Sequence, residues 1–539
     1  MKMKNFIPEG VEDIDYNKFE QIETIRKKVE KVFKRDGYRQ ISTPTFEYYD
    51  LFTGIDMSMD KDEMYKIIDT NGKILVLRPD ATIPIARMVA TNYKYLEEKI
   101  KLMYLTNVYR SSDFRALGKR EFIQAGIEYF GNPSLEADAQ VIETSIKALA
   151  GAGFKQIRIE LGDAKYFDGL IEEFGESVDK STKNLIRKLV ESKNYPELDL
   201  LLSNLELDDK FKRILLELPF LYGEFDAVIN RANELAINIK MESAVNDLIQ
   251  IYSKIKLDNL DKHIFLDMGL VNHLDYYSGM IFKIYLQNTG KIAGSGGRYD
   301  GLMEKFGKKI PAIGFGLNMD ILYEAKAFGE KSEGIISIAI GKGRLAEFAI
   351  NKLSEMGITF PDYSKASRKL IFYDKTKKVK IIFVKAQDVD IYVEKGACDL
   401  GISGKDVILE NNSDIYEILD LNFGRCKFAV AAKKGFKHIP HKKIRVATKY
   451  PNVAKNFYEK KGEPIEIIKI NGSVELAPIV GLSDVIVDIV ESGKTLKENG
   501  LEIIEIISDV SARLIANKVS IKTKEVEMSS IINSFRRMI

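Results

Sequence analysis

The segment SDVIVDIVESGKTLKENG, residues 483–500, carries the densest set of groups suited to a phosphorylated ligand. The run from Asp484 to Val490 is apolar and β-branched and predicts a buried strand. Glu491, Ser492, Gly493, Lys494 and Thr495 follow, then a short helix stopped by Gly500. Backbone N–H groups at such a strand-to-helix turn point outward and bind phosphate well. Gly493 lets the backbone approach closely, and Ser492 and Thr495 add hydroxyl donors. The GKT triplet suggests a Walker A loop, but that motif needs a glycine where Asp488 stands, so it is rejected. An ordinary strand-to-helix turn is the local alternative.

The elements that must position this turn change character along the chain. Residues 1–170 mix helices with extended runs such as KIKLMYLTNVYR (99–110) and KQIRIELGD (155–163). Residues 173–258 are helical and charged, extended runs return at 264–299, and a helix-like segment closes at 317–327. That order predicts an antiparallel α+β core with a helical insertion. The polar, Gly-bounded stretch 328–334 is the expected linker. Beyond it, short apolar runs (GIISIAI, KVKIIFV, ACDLGIS) alternate with helices. In the first of these helices Leu345, Phe348, Ala349, Leu353 and Met356 share a face, and Gly357 ends it. The alternation predicts a mostly parallel α/β sheet with ligands at its strand ends.

Composition narrows the function classes. With 539 residues, about three to five domains are expected. Net charge is +2, which gives no overall electrostatic case for nucleic acid. Two cysteines, Cys398 and Cys426, imply no disulfide framework. No run approaches the roughly 20 apolar residues of a membrane span, and the N-terminus lacks a signal-like apolar stretch, so a cytoplasmic location is expected. His438 and His441, flanking Pro440, read as a solvated loop rather than a metal site, because zinc wants three or four ligands.

The acid–strand–SGKT arrangement resembles the phosphoribosyl pyrophosphate (PRPP) loop, in which an acid faces the ribose hydroxyls and the turn holds the 5′-phosphate. More broadly, residues 335–539 resemble the short form of ATP phosphoribosyltransferase. The matching pieces are GKGRL (341–345), SRKLIF (367–372), VKAQDVDIYVEKGACDLGISGKDV (384–407), LDLNFGRC (419–426), ATKYPN (447–452), NGSVELAPIVGLSDVIVDIVESGKTLKENGL (471–501) and SARLIANK (511–518). Gly341 departs from the family's proline, with little effect expected. The resemblance implies a bilobed fold like that of periplasmic binding proteins, lobe I at about 335–428 and 509–539, lobe II at about 429–508. It implies transfer of the phosphoribosyl group of PRPP to N1 of ATP, giving phosphoribosyl-ATP and pyrophosphate, the first step of histidine biosynthesis. The ribose carbon becomes oxocarbenium-like, so the departing pyrophosphate needs positive charge, from Mg²⁺ and from basic groups. Arg368, Lys385 and Lys342 are the candidates, with surface cations as the bland reading. PRPP binding is expected from Asp484, Asp488, Glu491, Ser492, Gly493, Lys494 and Thr495. No protein-ligated metal is expected.

Residues 1–327 resemble the catalytic core of histidyl-tRNA synthetase, of class II α+β fold. The carriers are GYRQISTPTFEY (37–48), LRPDATIPIAR (77–87), LMYLTNVYRSSDFRALGKREFIQAGIEYFG (102–131), LVNHLDYYSGMIF (270–282), AGSGGRYDGLMEKFG (293–307) and PAIGFGLNMDIL (311–322). The departures fall on the chemistry: Asn272 and Ile321 stand where the family has arginines, and Ser112 where it has glutamate. The amino-acid pocket looks kept in Asp80, Thr82, Arg110, Gln124, Glu128, Tyr276 and Tyr277. Acids suit an ammonium group, Arg110 a carboxylate, and Gln or Tyr groups an imidazole. Leftover buried polar residues are the alternative, against which stands the cost of burying unpaired acids. The pattern resembles the regulatory subunit of ATP phosphoribosyltransferase, here fused to the catalytic part. The expected ligands are ATP, PRPP and histidine as feedback inhibitor acting through the first half, in a homo-oligomer that uses neither tRNA nor membrane. A non-catalytic histidine- or nucleotide-sensing protein and a histidine-tRNA ligase are the alternatives.

Overall fold

A computed structural model describes residues 6–54, 61–93, 99–111, 119–271, 277–287, 289–327, 334–437 and 443–538. The chain divides into two compact units, Met1–Glu333 and Gly334–Ile539. Ser112, Asn272, Tyr276, His438 and His441, and nearly all of the expected 328–334 linker, lie outside the described residues.

The first unit holds strands β1 (Arg39–Gln40), β2 (Phe46–Tyr48), β3 (Lys66–Ile68), β4 (Ile74–Leu77), β5 (Ile100–Tyr109), β6 (Glu121–Phe130), β7 (Ile157–Asp163), β8 (Tyr222–Glu224), β9 (Ile264–Asp267), β10 (Met280–Leu286), β11 (Gly294–Arg298) and β12 (Ala312–Asn318). Nine form one sheet in the order β1-β5-β6-β12-β11-β10-β7-β9-β8, and β2-β4-β3 form a second. The large sheet is antiparallel except at β1/β5 and β7/β9. Its spine is the long β5/β6 ladder, in register from Ile100↔Phe130 to Tyr109↔Glu121. Helix Tyr16–Arg35 starts where Asp15 accepts the Lys18 N–H at 2.8 Å, and it buries Ile22, Ile25, Val29, Val32 and Phe33 at helical spacing. With helix Leu135–Gly151 it belongs to the main core on the sheet. The charged insertion is helical from Lys180 to Leu257, except that β8 pairs antiparallel with β9 and ties the insertion to the sheet edge. Three residues are too few to show a strand period in sequence, and β8 was not expected.

The second unit holds β13 (Ile336–Gly341), β14 (Ile371–Tyr373), β15 (Val379–Val384), β16 (Leu400–Gly404), β17 (Tyr416–Asp420), β18 (Cys426–Lys433), β19 (Ile444–Thr448), β20 (Ile465–Lys469), β21 (Val485–Val490), β22 (Leu501–Val510) and β23 (Ala512–Ala516). They make two sheets, β14-β15-β13-β16-β23-β17 and β20-β19-β21-β18-β22. The chain crosses from the first sheet to the second after Asp420 and returns at Ser511. β13, β15 and β16 run parallel, as do β19, β20 and β21, while β14, β18 and β23 run against their neighbours. β13 is buried along its whole length, which is why it reads as an unbroken apolar run.

Candidate functional site

Two constellations emerge, one in each unit. In the first unit, strand alternation sets the site. Gln124, Gly126 and Glu128 of β6 share one face of the sheet. Across the ladders, Glu128 faces Gly314, Gly126 faces Gly316 and Tyr104, and Gln124 faces Asn318. Glycine is a poor strand former, and here its lack of a side chain is the point. A Cβ on Gly314 would overlap Glu128 Oε2, and one on Gly316 would overlap the Gln124 amide. The glycine-rich strands β11 and β12 therefore clear the floor for these side chains.

Glu128 is 1% exposed. Its Oε1 accepts a hydrogen bond from Thr82 Oγ1 at 2.7 Å, and its Oε2 accepts one from the Tyr299 hydroxyl. Burial pushes its carboxyl up to about 8, against the pull of those two donors. Thr82 opens helix Thr82–Asn92, and Asp80, two residues before it, accepts the Ile83 N–H at 3.0 Å. Burial also raises Asp80, while the nearby Arg110 guanidinium draws it down. Arg110 Nε donates to the Pro79 carbonyl at 2.8 Å, and its guanidinium lies 5.7 Å from the Phe122 ring centre. Burial raises the Tyr104 hydroxyl well above its usual value, with Glu128 and Asp80 adding to the shift. Gln124 Oε1 is buried without a hydrogen-bond partner. Tyr277 is half-buried against Gly297, where a Cβ would lie 2.8 Å from its ring.

The structure thus draws Thr82 and Glu128 into direct contact and sets Asp80 beside Arg110, with Gln124 on the same sheet face as Glu128. Tyr104 and Tyr299 belong to the pocket, although sequence reasoning missed them. Tyr104 sits in the quoted LMYLTNVYR run, and the cross-strand register was the missing signal. Ile321 is 2% exposed and part of the main core, so no cation reaches outward from that position.

In the second unit the parallel strands of both sheets end in charged loops. Lys342 follows β13 and Lys385 follows β15, adjacent parallel strands paired at Gly341↔Val384. β14 runs antiparallel to β15, and the Phe383 N–H donates to the Leu370 carbonyl, which brings the loop carrying Arg368 to the same edge. All three cations are exposed. Gly341 is crowded: a Cβ there would lie 2.8 Å from Ala386 Cα. This position is therefore more constrained than the expectation of little effect implied.

On the other sheet, β21 ends at Val490, Glu491 follows it, and Gly493 adopts φ +69° at the start of helix Lys494–Glu498. Ser492 Oγ accepts the Lys494 N–H at 3.4 Å, and Lys494 and Thr495 lie in that first turn. The helix is a single short turn, so an anion bound here would be held by the N–H groups of the turn rather than by a macrodipole. Asp488 is half-buried and raised by burial, with Glu475 and Asp406 adding to the shift and Lys449 opposing it. Glu491 pairs with Arg344 of GKGRL at 3.4 Å, and Tyr450 donates to Asp406 Oδ2 at 3.1 Å. These two contacts bring the loop ends of the two sheets together. Arg344, Asp406 and Tyr450 were not picked out from sequence, though all lie inside the quoted motifs.

Asp484 is a correction. It stands at the start of β21, at the opposite end from the turn, and its carboxylate binds Arg445, with Nη2 at 2.9 Å and the backbone N–H at 2.9 Å. Six strand residues separate the ends by roughly 20 Å at about 3.3 Å per residue, so Asp484 cannot share a ligand with Ser492–Thr495.

A class II synthetase-like sheet in the first unit is followed by a pair of α/β sheets in the second. Comparison with known proteins gives the same division. A family model described as histidyl-tRNA synthetase matches residues 10–322, and one described as ATP phosphoribosyltransferase matches residues 385–537. The ATP phosphoribosyltransferase regulatory subunit of Alkaliphilus metalliredigens is 38% identical over 330 residues, 61% of this chain and 83% of that protein. The ATP phosphoribosyltransferase of Clostridioides difficile is 54% identical over 204 residues, 38% of this chain and 98% of that protein. A crystal structure of an ATP phosphoribosyltransferase regulatory subunit/histidyl-tRNA synthetase from Bacillus halodurans covers 66% of this chain and 90% of its own, with 29% identity and a TM-score of 0.56. The chain belongs to the ATP phosphoribosyltransferase family, with a regulatory-subunit part of histidyl-tRNA synthetase type followed by a catalytic part.

Proposed function

We propose that the second unit binds PRPP and ATP in a cleft between its two sheets, as in periplasmic binding proteins, and that the first unit binds histidine and restrains the reaction. The enzymatic class, ATP phosphoribosyltransferase, follows from the family. The observation that carries the site reading is the Arg344–Glu491 contact, which sets the GKGR loop beside the ESGKT turn.

In this reading the turn Ser492–Thr495 holds the 5′-phosphate through backbone N–H groups, two hydroxyls and Lys494. Asp488 and Glu491 face the ribose hydroxyls. N1 of the adenine attacks C1 of the ribose, the bond from C1 to the pyrophosphate oxygen breaks, and the electron pair leaves with pyrophosphate. Arg368, Lys385 and Lys342 meet that growing negative charge. N1 is a weak nucleophile, so holding it in line supplies much of the rate. Magnesium usually keeps several waters and binds through substrate phosphates. In this reading Mg²⁺ arrives with the phosphates of PRPP and ATP. When bound it adds positive charge to the leaving group.

In the first unit, Asp80 suits the ammonium of histidine, Arg110 its carboxylate, and Glu128 with Gln124 and the tyrosines its ring. A homo-oligomer is expected to carry the signal, because motif-1-like residues 37–48 resemble a dimer-forming segment. No described helix is long and apolar enough to cross a membrane. The test is to incubate the chain with ATP, PRPP and Mg²⁺ and follow phosphoribosyl-ATP and pyrophosphate. Both should appear in equal amounts, and absence of either would defeat the reading.

A further inference from the structure

A buried carboxylate ordinarily has a cation beside it, because an isolated charge in the interior is costly. Glu128 departs from that rule. Its hydrogen-bond partners are two hydroxyls, Thr82 and Tyr299. Among the described residues, each element packed against it brings something other than a positive charge. β5 brings the Tyr104 hydroxyl, and the start of helix Thr82–Asn92 brings Thr82 and the Asp80 carboxylate. β12 brings Gly314, and the end of β11 leads to Tyr299. Tyr277 lies beside Tyr104, and Gln124 shares the strand. The cation of this region, Arg110, acts on Asp80. Glu128 therefore sits between neutral hydroxyls and a second acid, in the space that Gly314 leaves open, and Thr82 and Tyr299 hold it there.

We propose that Glu128 meets its ligand as a carboxylic acid and hands its proton to the ring nitrogen of an imidazole, so that the pocket fills by internal proton transfer. The O–H bond of Glu128 breaks and an N–H bond forms on the ring. The proton count of protein plus ligand does not change, and the ion pair so formed supplies the cation that the empty pocket lacks. This inference rests on the reading of the first unit as a histidine pocket.

The pH dependence follows from the signs. The empty pocket holds its proton up to about pH 8. The free ring stays neutral above roughly pH 6.5. Between these limits one proton is shared by the pair before and after binding, so affinity is level. Below them a proton must be released and above them one must be taken up, and affinity falls on both sides. A Glu128 already ionised in the empty pocket would instead need proton uptake throughout the neutral range, and affinity would fall about tenfold per pH unit above 6.5.

The experiment is calorimetric titration of the full chain with histidine at pH 7.2, in phosphate and in Tris, which differ in ionisation enthalpy. It is paired with the nitrogen spectrum of bound histidine labelled with ¹⁵N in its ring. The expected result is a binding enthalpy that corrects to near-zero net proton exchange, together with two protonated ring nitrogens in the bound ligand. Uptake or release of more than half a proton, or a neutral bound ring, would overturn the proposal. Glu128→Gln, close in shape, should leave the bound ring neutral and weaken binding at least tenfold; a charged ring in that variant would also overturn it. Absence of histidine binding in the intact chain would be a different failure, that of the pocket reading itself.

Discussion

The two units place charge in opposite ways. In the first, Glu128 is buried and Asp80 and Arg110 are half-buried, held by hydroxyls and backbone, with Gly314 and Gly316 leaving room for Glu128 and Gln124. In the second, Lys342, Arg368, Lys385, Glu491 and Lys494 stand exposed on loops at strand ends. Groups held in place beforehand suit selective recognition of one small ligand, since little is lost to ordering on binding. Open, flexible cations suit a reaction in which charge builds up late and must be met by groups that close in from two lobes. On the proposed reading, sensing and catalysis differ in how much structure is fixed before the ligand arrives.

That contrast can be broken by substitutions graded by expected effect. The largest belongs to Arg368→Ala. If its guanidinium meets the departing pyrophosphate, turnover should fall about 10²–10³-fold with smaller changes in KM, measured by steady-state kinetics with each substrate. A loss confined to KM would make Arg368 a ground-state clamp, and Lys385→Ala should show a weaker form of the same loss. Next comes Gln124→Ala, which should raise the histidine concentration for half-inhibition more than tenfold, or about 1.4 kcal/mol, while uninhibited turnover stays within a few-fold. A parallel loss of both would mean that the pocket supports the fold rather than senses.

Gly493→Val is expected to act through backbone strain. A Cβ at Gly493 would meet only Val490 Cγ1 at 3.8 Å, so there is room, but φ is +69°. A β-branched residue in that conformation costs about 1–2 kcal/mol, enough to raise KM for PRPP roughly tenfold if the strain is relieved by reshaping the turn. Unchanged PRPP kinetics would remove the turn from the site. The smallest effect should be that of Asp484→Asn. Its pair with Arg445 is partly exposed, and such pairs contribute at most about 1 kcal/mol, so thermal stability should drop slightly and PRPP kinetics should not move.

Much of this was legible in the residues because the chemistry and the local pattern coincide. The run to Val490 followed by Ser-Gly-Lys announces a strand and a turn, and Gly493 takes the left-handed conformation that only glycine adopts cheaply. The seven-residue amino-acid set was readable only through resemblance, because its members are scattered from Asp80 to Tyr277. What sequence could not supply was direction and register. Asp484 and Asp488 look equivalent in a list of acids, yet one lies at each end region of the same strand, and only Asp488 is near the turn. Tyr104 joins the pocket because β5 pairs with β6 at Tyr104↔Gly126, a fact written in no local pattern. Tyr299 follows the same logic, reaching Glu128 from the far end of β11.

The central claim is that one chain catalyses with its second unit and senses with its first. The most direct measurement is phosphoribosyl-ATP formation against rising histidine, in the intact chain and in Glu128→Gln. Histidine should suppress the reaction of the intact chain, and the variant should keep its turnover within a few-fold while needing at least ten times more histidine. Equal histidine sensitivity in the two proteins would contradict the assignment of sensing to this pocket.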